Sequence, residues 1–252
     1  MREKKLEPYP LQEEYEEYYA IPNTYSDSPE KSRIELRRGL FSILKELYNE
    51  KKREKLKRPL RVIGLCSGAH ALEKEMFRTY NKEPHKKQWQ EIIENTNWLT
   101  IDIARIVKKH FELFKKQNKP FTRYIRHITA DAGKTLFSDN YFDLVYSNLG
   151  LDFLPREIGL KELNRILKPG GYFMLNLHHP DLLQSIDNKD EGTKKFWSYL
   201  QENNILYTSP EDIQDTFGRY GLKVDKIELR KAGFEKWWEV NGRKGLAADD
   251  NY

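Results

Sequence analysis

The sequence contains a single cysteine, Cys66, among its 252 residues. One cysteine excludes an internal disulfide and a zinc site built from several thiolates, so we expect no bound metal and a reducing, cytoplasmic environment. No apolar run approaches the roughly 20 residues that a membrane-spanning helix needs. The first residues, MREKKLEPYP, are not followed by the apolar segment of a secretory signal. These absences predict an intracellular protein with no membrane partner.

A strong excess of one charge sign is also lacking. Lys and Arg number 44 against 39 Asp and Glu, which gives a net charge of +5, and the two signs alternate along most of the chain. The densest basic run, from Lys51 to Arg58, is compatible with a nucleic-acid partner. The glutamate within that run favours instead a solvated helix end. The length suits one α/β domain with additions.

The first 58 residues predict helices and no strand. Ser28 and Pro29 predict a helix start, because serine caps helices and proline is tolerated at the first helical position. Apolar residues then recur at three- and four-residue spacing: Leu36, Leu40, Ile43, Leu44, Leu47 and Tyr48. We therefore interpret residues 1–58 as a helical extension of a domain that spans residues 59–252. Its tyrosines either pack in the core or close over a substrate as a lid: Tyr15, Tyr18, Tyr19 and Tyr25.

From Leu60 onward, short strand patterns alternate with helical ones. The predicted strands cover residues 61–65, 98–101, 124–128, 142–147, 172–177, 223–230 and 235–240. The predicted helices cover residues 69–78, 103–114, 157–167 and 211–220, and residues 84–95 predict another helix within an insertion at about 79–97. This alternation predicts an α/β fold, with a parallel sheet covered on both faces and an antiparallel element near the end. Ligands of such sheets bind at the carboxyl ends of the strands.

The loops at those strand ends carry suitable residues. The segment from Gly64 to His70 is a small-residue turn before a helix, which lets the backbone approach a ligand. Asp102 follows the second strand, where it either accepts hydrogen bonds from a ribose or caps a helix. Asp131 follows the third strand and either binds an adenine amine or forms a turn.

A more specific pattern begins at Asp131. Asp131-Ala132 is followed by FSDNYFDLV at residues 137–145 and by LNRILKPGGY at residues 163–172. This stretch closely resembles the class I S-adenosylmethionine-dependent methyltransferase family, and the resemblance runs from about Arg61 to Asn176. It implies a Rossmann-like fold with a mostly parallel seven-stranded sheet, an antiparallel last strand and helices on both faces. It also implies S-adenosylmethionine as the cofactor.

The resemblance further implies roles for individual residues. Gly64, Cys66 and Gly68 occupy the first motif, which binds the methionine portion of the cofactor in this family. Here Gly64 stands where the family usually has an acid, and Cys66 and His70 stand where it usually has glycines. If position 70 needs a positive φ, its histidine is strained.

The remaining positions follow the later strands. Asp102 matches the family's ribose-binding acid and Asp131 its adenine-side acid. Ile103 and Ala132 would flank the adenine, and Asn148 lies where the family contacts both cofactor and substrate.

Two adjacent histidines, His178 and His179, end the fifth strand and are candidate general bases. Asp152, after the fourth strand, is a second candidate. The alternative is that one histidine packs and the other bonds to a loop. We expect a methyltransferase that acts on a small molecule. The alternatives are an RNA- or protein-directed methyltransferase and a catalytically inactive binding protein with a methyltransferase fold.

Overall fold

The computed structural model describes residues 30–55, 58–68, 70–80, 82, 84–117, 121–181, 198, 200, 202, 205–232 and 235–246. The four tyrosines of the predicted lid and the predicted helix start at Ser28 lie outside these residues. Within the described ranges, no helix is both long enough and apolar enough to cross a membrane.

Seven strands form one sheet in the order β3-β2-β1-β4-β5-β7-β6. They are β1 (Leu60–Gly64), β2 (Thr96–Asp102), β3 (Ile125–Thr129), β4 (Phe142–Asn148), β5 (Leu167–His178), β6 (Leu222–Ala232) and β7 (Glu235–Lys244). The pairs among β1 to β5 are parallel, whereas β7 runs antiparallel to both β5 and β6. The predicted sheet, mostly parallel with an antiparallel last strand, is confirmed.

Six helices of the described chain surround the sheet. They are α1 (Glu30–Arg53), α2 (Ala71–Tyr80), α3 (Lys86–Glu94), α4 (Arg105–Gln117), α5 (Arg156–Ile166) and α6 (Pro210–Arg219). Helix α3 is the one predicted within the insertion. Helix α6 begins after Ser209, whose side chain accepts a hydrogen bond from the Asp212 amide and caps the helix.

Two apolar cores lie on opposite faces of the sheet. The first contains α1 to α4, and the second contains α5 and α6. Leu36, Leu40 and Leu44 of α1 are fully buried in the first core. The apolar face that the sequence predicted for this helix is therefore covered by the sheet and by the neighbouring helices of the first core.

Strand β5 begins earlier than the sequence suggested. Leu167 already pairs with Phe142, after which the register shifts and Tyr172 pairs with Leu144. Gly170 lies between them with a φ of +71°. The Lys168-Pro169-Gly170-Gly171 turn is thus an irregular part of the strand, because a left-handed glycine lets the chain bulge and rejoin the ladder.

Candidate cofactor and catalytic site

The turn after β1 is built from tight backbone contacts. The Ser67 amide donates to the Ile101 carbonyl at 3.0 Å, and Cys66 and Gly68 have φ angles of +52° and +51°. A Cβ placed on Gly150 would lie 2.5 Å from the Cys66 Cβ. The loop after β4 therefore presses against this turn, which requires glycine at position 150.

Asp102 ties the end of β2 to the same turn. Its Oδ2 accepts a hydrogen bond from the Gly68 amide at 2.9 Å, and its Oδ1 accepts one from the Ala104 amide at 3.0 Å. Asp102 is buried, with 5% of its surface exposed. The Asp102 carboxylate thus accepts hydrogen bonds from the backbone of two different segments. A carboxylate has about four lone-pair sites, so the two backbone bonds remain compatible with hydrogen bonds from a ribose.

The other predicted adenine-side residues lie in the neighbouring loops. Asp131 forms the turn that was its alternative interpretation, since its Oδ1 accepts a hydrogen bond from the Gly133 amide at 2.7 Å. Ala132 is buried, and Ile103 is half-buried directly after β2. All three residues follow the carboxyl ends of β2 and β3, as the sequence predicted.

Acidic side chains surround the turn after β1. Burial raises the pKa of the Cys66 thiol, and the carboxylates of Asp102, Asp152 and Asp131 raise it further. Three acids, at the end of β2 and after β3 and β4, therefore lie within electrostatic range of this turn. An acidic surrounding of this kind favours a cationic ligand group.

Asn148 ends β4 beside a residue that the sequence did not suggest. The fully buried Asn176 of β5 donates from its Nδ2 to the Asn148 Oδ1 at 3.0 Å. Asn176 also accepts a hydrogen bond at its carbonyl from the Leu149 amide at 2.9 Å. Its position two residues before His178, on the same face of β5, was the available sequence signal.

His178 and Asp152 form a buried pair. The His178 Nδ1 lies 2.8 Å from the Asp152 Oδ2, which also accepts the backbone N–H of His178. The Asp152 side chain is 1% exposed and that of His178 is 12% exposed. The sequence treated these residues as separate candidate bases, whereas the structure joins them into one imidazole–carboxylate unit.

His179 has a different environment. Its Nδ1 accepts a hydrogen bond from the Asp181 amide at 3.1 Å, and its ring lies 4.9 Å from that of Trp238. Burial lowers its pKa, although the nearby Asp181 carboxylate opposes that effect. His179 thus both packs against an aromatic ring and accepts a hydrogen bond from a neighbouring backbone amide.

The surroundings of Asp152 include residues that the sequence analysis did not identify. Arg156 donates to both oxygens of Asp212, at 2.9 and 3.1 Å, and its guanidinium lies 4.1 Å from the centre of the Tyr207 ring. Trp238 donates from its indole to the Tyr207 carbonyl at 2.9 Å. These contacts hold Tyr207 at a small cavity that Asp152 also lines.

Another unpredicted group lies beneath the turn. The Tyr146 hydroxyl donates to the buried Glu73 carboxyl and accepts from the Trp98 indole at 2.8 Å. Burial raises the pKa of Glu73 to about 7. These residues belong to α2, β2 and β4, so only the folded chain brings them together.

Comparison with known proteins agrees with this arrangement. Residues 88–175 match a family model described as a methyltransferase domain. A ubiquinone/menaquinone biosynthesis C-methyltransferase of Stutzerimonas stutzeri is 29% identical over 126 residues, which are 44% of this chain and 49% of that protein. The protein of the same description from Neisseria meningitidis is 26% identical over 77% of this chain and 74% of its own length. The chain thus spans about half of the first relative and about three quarters of the second.

The fold also matches a solved structure over nearly its whole length. The 1,6-didemethyltoxoflavin-N1-methyltransferase of Burkholderia thailandensis, solved with bound 1,6-didemethyltoxoflavin and S-adenosylhomocysteine, superposes with a TM-score of 0.60. That similarity covers 97% of this chain and 93% of the other at 11% identity, so it concerns the fold. The sheet order, the pattern from Asp131 to Tyr172 and the family match over residues 88–175 together support a class I S-adenosylmethionine-dependent methyltransferase family for this chain.

Proposed function

We propose that this protein transfers the methyl group of S-adenosylmethionine to a small-molecule acceptor, with His178 as the general base. The observation that carries this proposal is the buried His178–Asp152 pair. It follows the carboxyl ends of β4 and β5, the edge of the sheet on which the glycine turn also lies.

The residues at this edge fit the cofactor. The turn from Gly64 to Gly68 offers backbone at a place where side chains are small, and helix α2 begins a few residues later. Asp102 and Asp131 would bind the ribose and the adenine, with Ile103 and Ala132 beside the ring and Asn148 towards the acceptor. When bound, S-adenosylmethionine supplies a methyl group already activated by a sulfonium charge, which the surrounding acids favour.

His178 supplies the proton chemistry. When its Nδ1–H donates to Asp152, the lone pair of the ring lies on Nε2, which then accepts a proton from the acceptor. The buried carboxylate stabilises the imidazolium that forms and fixes the ring orientation. A general base of this kind typically contributes about 100-fold or more to the rate.

The base points to the class of acceptor. An amine that is already neutral needs no base, whereas a hydroxyl or an activated carbon must lose a proton during methylation. The two relatives from Stutzerimonas and Neisseria are described as C-methyltransferases. We therefore propose an acceptor that reacts through a carbon or an oxygen with an acidic proton.

The position of the basic run supports a small acceptor over RNA. Arg58 lies two residues before the start of β1, whose opposite end carries Gly64. Within the run, Lys51 donates to the Arg58 carbonyl, and Arg58 forms a bidentate pair with Asp143 at 2.8 and 2.9 Å. Two basic residues of this run, Lys51 and Arg58, are thus engaged in the fold at the edge away from the site.

Residues 1–58 complete the proposal as an extension of the domain over residues 59–252, and α1 within them packs into the first core. The closing role is therefore proposed for the tyrosine-bearing residues before α1, since a lid excludes water and suits a small acceptor. We place the protein in the cytoplasm, in line with its single free thiol.

Two measurements test this function. Calorimetric titration of the purified chain with S-adenosylmethionine and with S-adenosylhomocysteine should give micromolar affinity for both. Incubation with methyl-labelled S-adenosylmethionine and a small-molecule extract should then place label in a low-mass product. Absence of binding by the folded protein would favour the inactive binding protein instead. Label found only in RNA or protein would favour the macromolecular acceptor.

A further inference from the structure

A chain of buried hydrogen bonds crosses the strand that carries the cofactor turn. The Trp98 indole of β2 donates to the Tyr146 hydroxyl of β4, which donates to the Glu73 carboxyl of α2. Strand β1 lies between β2 and β4 in the sheet. The chain therefore connects the first turn of α2 to both neighbours of β1.

Tyr146 also contacts the residue at which the turn begins. A Cβ placed on Gly64 would lie 2.6 Å from both Cζ and Oη of the Tyr146 ring. The ring thus lies directly against the Gly64 backbone, and glycine is required there. The Leu65 amide adds a hydrogen bond to the Tyr146 carbonyl at 2.9 Å. The start of the turn is fixed by this one tyrosine.

The turn needs such support because its backbone is strained. Cys66 and His70 have φ angles of +52° and +59°, in the left-handed region that favours glycine. Each non-glycine residue in this region costs about 1 kcal/mol or more, and such conformations persist only when the surrounding structure holds them. Glu73 holds the far end, since it belongs to the helix that starts directly after His70.

A buried carboxyl is an expensive way to fill this space. Glu73 is 1% exposed, and its Oε2 has no hydrogen-bond partner among the described residues. The Nδ1 of the fully buried His70 faces it at 4.0 Å, and Lys74 lies next to it on the helix. An apolar side chain would avoid the cost of burial. The bond to Tyr146 is the feature that a leucine would not provide.

We propose that Glu73, acting through Tyr146, is a positioning residue that holds the turn from Gly64 to Gly68 in the conformation that binds S-adenosylmethionine. This inference rests on the proposed function, since it takes that turn as the cofactor site. The hydrogen-bond chain would thus hold Cys66 and His70 in the left-handed conformation that glycines at these positions would adopt without strain.

The test compares cofactor affinity in matched variants. Glu73→Leu and Tyr146→Phe should each weaken binding of S-adenosylmethionine and S-adenosylhomocysteine at least tenfold in calorimetric titrations. The double variant should be no weaker than either single one, because both remove the same bond. Glu73→Gln should restore near wild-type affinity, since its amide oxygen accepts the same hydrogen bond.

Thr96→Val is the control for general destabilisation. It removes a buried hydrogen bond of 2.7 Å to the Ile92 carbonyl at the other end of β2. We expect a lower melting temperature with unchanged affinity for both ligands. If Glu73→Leu does not fold, Tyr146→Phe decides, because it keeps the ring that packs on Gly64.

Two outcomes would overturn the inference, and they differ. Wild-type affinity in folded Tyr146→Phe, with the wild-type protein binding both ligands, would refute the positioning role alone. A wild-type protein that binds neither ligand would refute the proposed function and the inference with it.

Discussion

The Nδ1 atom of His178 lies 2.8 Å from the Oδ2 atom of Asp152, although the two residues are 26 positions apart in the chain. The Asp152 Oδ1 atom is buried and has no hydrogen-bond partner among the described residues. The carboxylate therefore interacts with His178 through Oδ2 alone, which contacts both the ring Nδ1 and the backbone N–H of that residue. This geometry fixes the orientation of the imidazole before any acceptor binds.

Substitutions of His178 and of His179 should have different effects on turnover. His178→Ala should lower kcat by about 100-fold through loss of the base, and Asp152→Asn should lower it as well, because the imidazolium loses its carboxylate. His179→Ala is the matched control and should retain most of the activity, since its ring packs on Trp238. Methyl transfer to the acceptor found by labelling is the measurement, with cofactor affinity determined in parallel. Normal turnover in His178→Ala would exclude a base role.

Alanine substitutions of Asp102 and Asp131 should weaken cofactor binding alike but lower the stability of the protein to different extents. Asp102→Ala and Asp131→Ala should each weaken S-adenosylmethionine binding at least tenfold, or about 1.4 kcal/mol. Asp102→Ala should also lower the melting temperature more, because it leaves the Gly68 and Ala104 amides without their side-chain acceptor. Calorimetry and thermal unfolding measure the two effects. Undiminished affinity in both variants would contradict the assignment of the adenosyl site.

Glu73 should make stability depend on pH. Burial raises its pKa from 4.5 to about 7, so the folded state binds this proton more tightly than the unfolded state. Its contribution is therefore most favourable below pH 4.5 and is lost as the pH rises through 7. The full difference is on the order of 3 kcal/mol. Glu73→Gln should stabilise the protein relative to wild type at pH 8.5 and not at pH 4.5. Urea unfolding at the two pH values measures the free energy of unfolding of both proteins. An equal difference between Glu73→Gln and wild type at both pH values would contradict the raised pKa of Glu73.

Gly64 should be intolerant of even one added methyl group. Gly64→Ala places a Cβ 2.6 Å from the Tyr146 ring and should destabilise the fold by about 1–3 kcal/mol. Gly218→Ala is the matched control within α6, where a Cβ meets nothing within 4 Å. It should stabilise the protein by about 0.5–1 kcal/mol through helix propensity. Urea unfolding of both variants provides the comparison, and an unaffected Gly64→Ala would contradict the close packing of Tyr146.

Much of the fold was predictable because it depends on local patterns. Strands of buried residues alternate with amphipathic helices from Leu60 onward, and this alternation requires a parallel sheet with its site at the carboxyl ends of the strands. The start of β5 was less predictable. Its register shift depends on the pairing of Leu167 with Phe142, which is distant in sequence.

The candidate site residues could be named one by one from the sequence, but the contacts between them could not. The sequence indicated Asp102, Asp131, Asp152 and His178 from their places after strands. It left open whether each acid binds a ligand or serves the backbone, because either role uses the same carboxylate. In the structure, Asp102 and Asp131 make the backbone bonds, and this does not exclude the binding role.

The sequence by itself determined the order of strands and helices, the family pattern from Asp131 to Tyr172 and the position of the candidate site residues at the strand ends. These properties depend on periodicity and on short spacings. The tertiary structure alone decided that Asp152 pairs with His178 and that Tyr146 joins Glu73 to Trp98 over Gly64. Those contacts depend on which strands become neighbours and on how their registers align, so they exist only after the chain has folded.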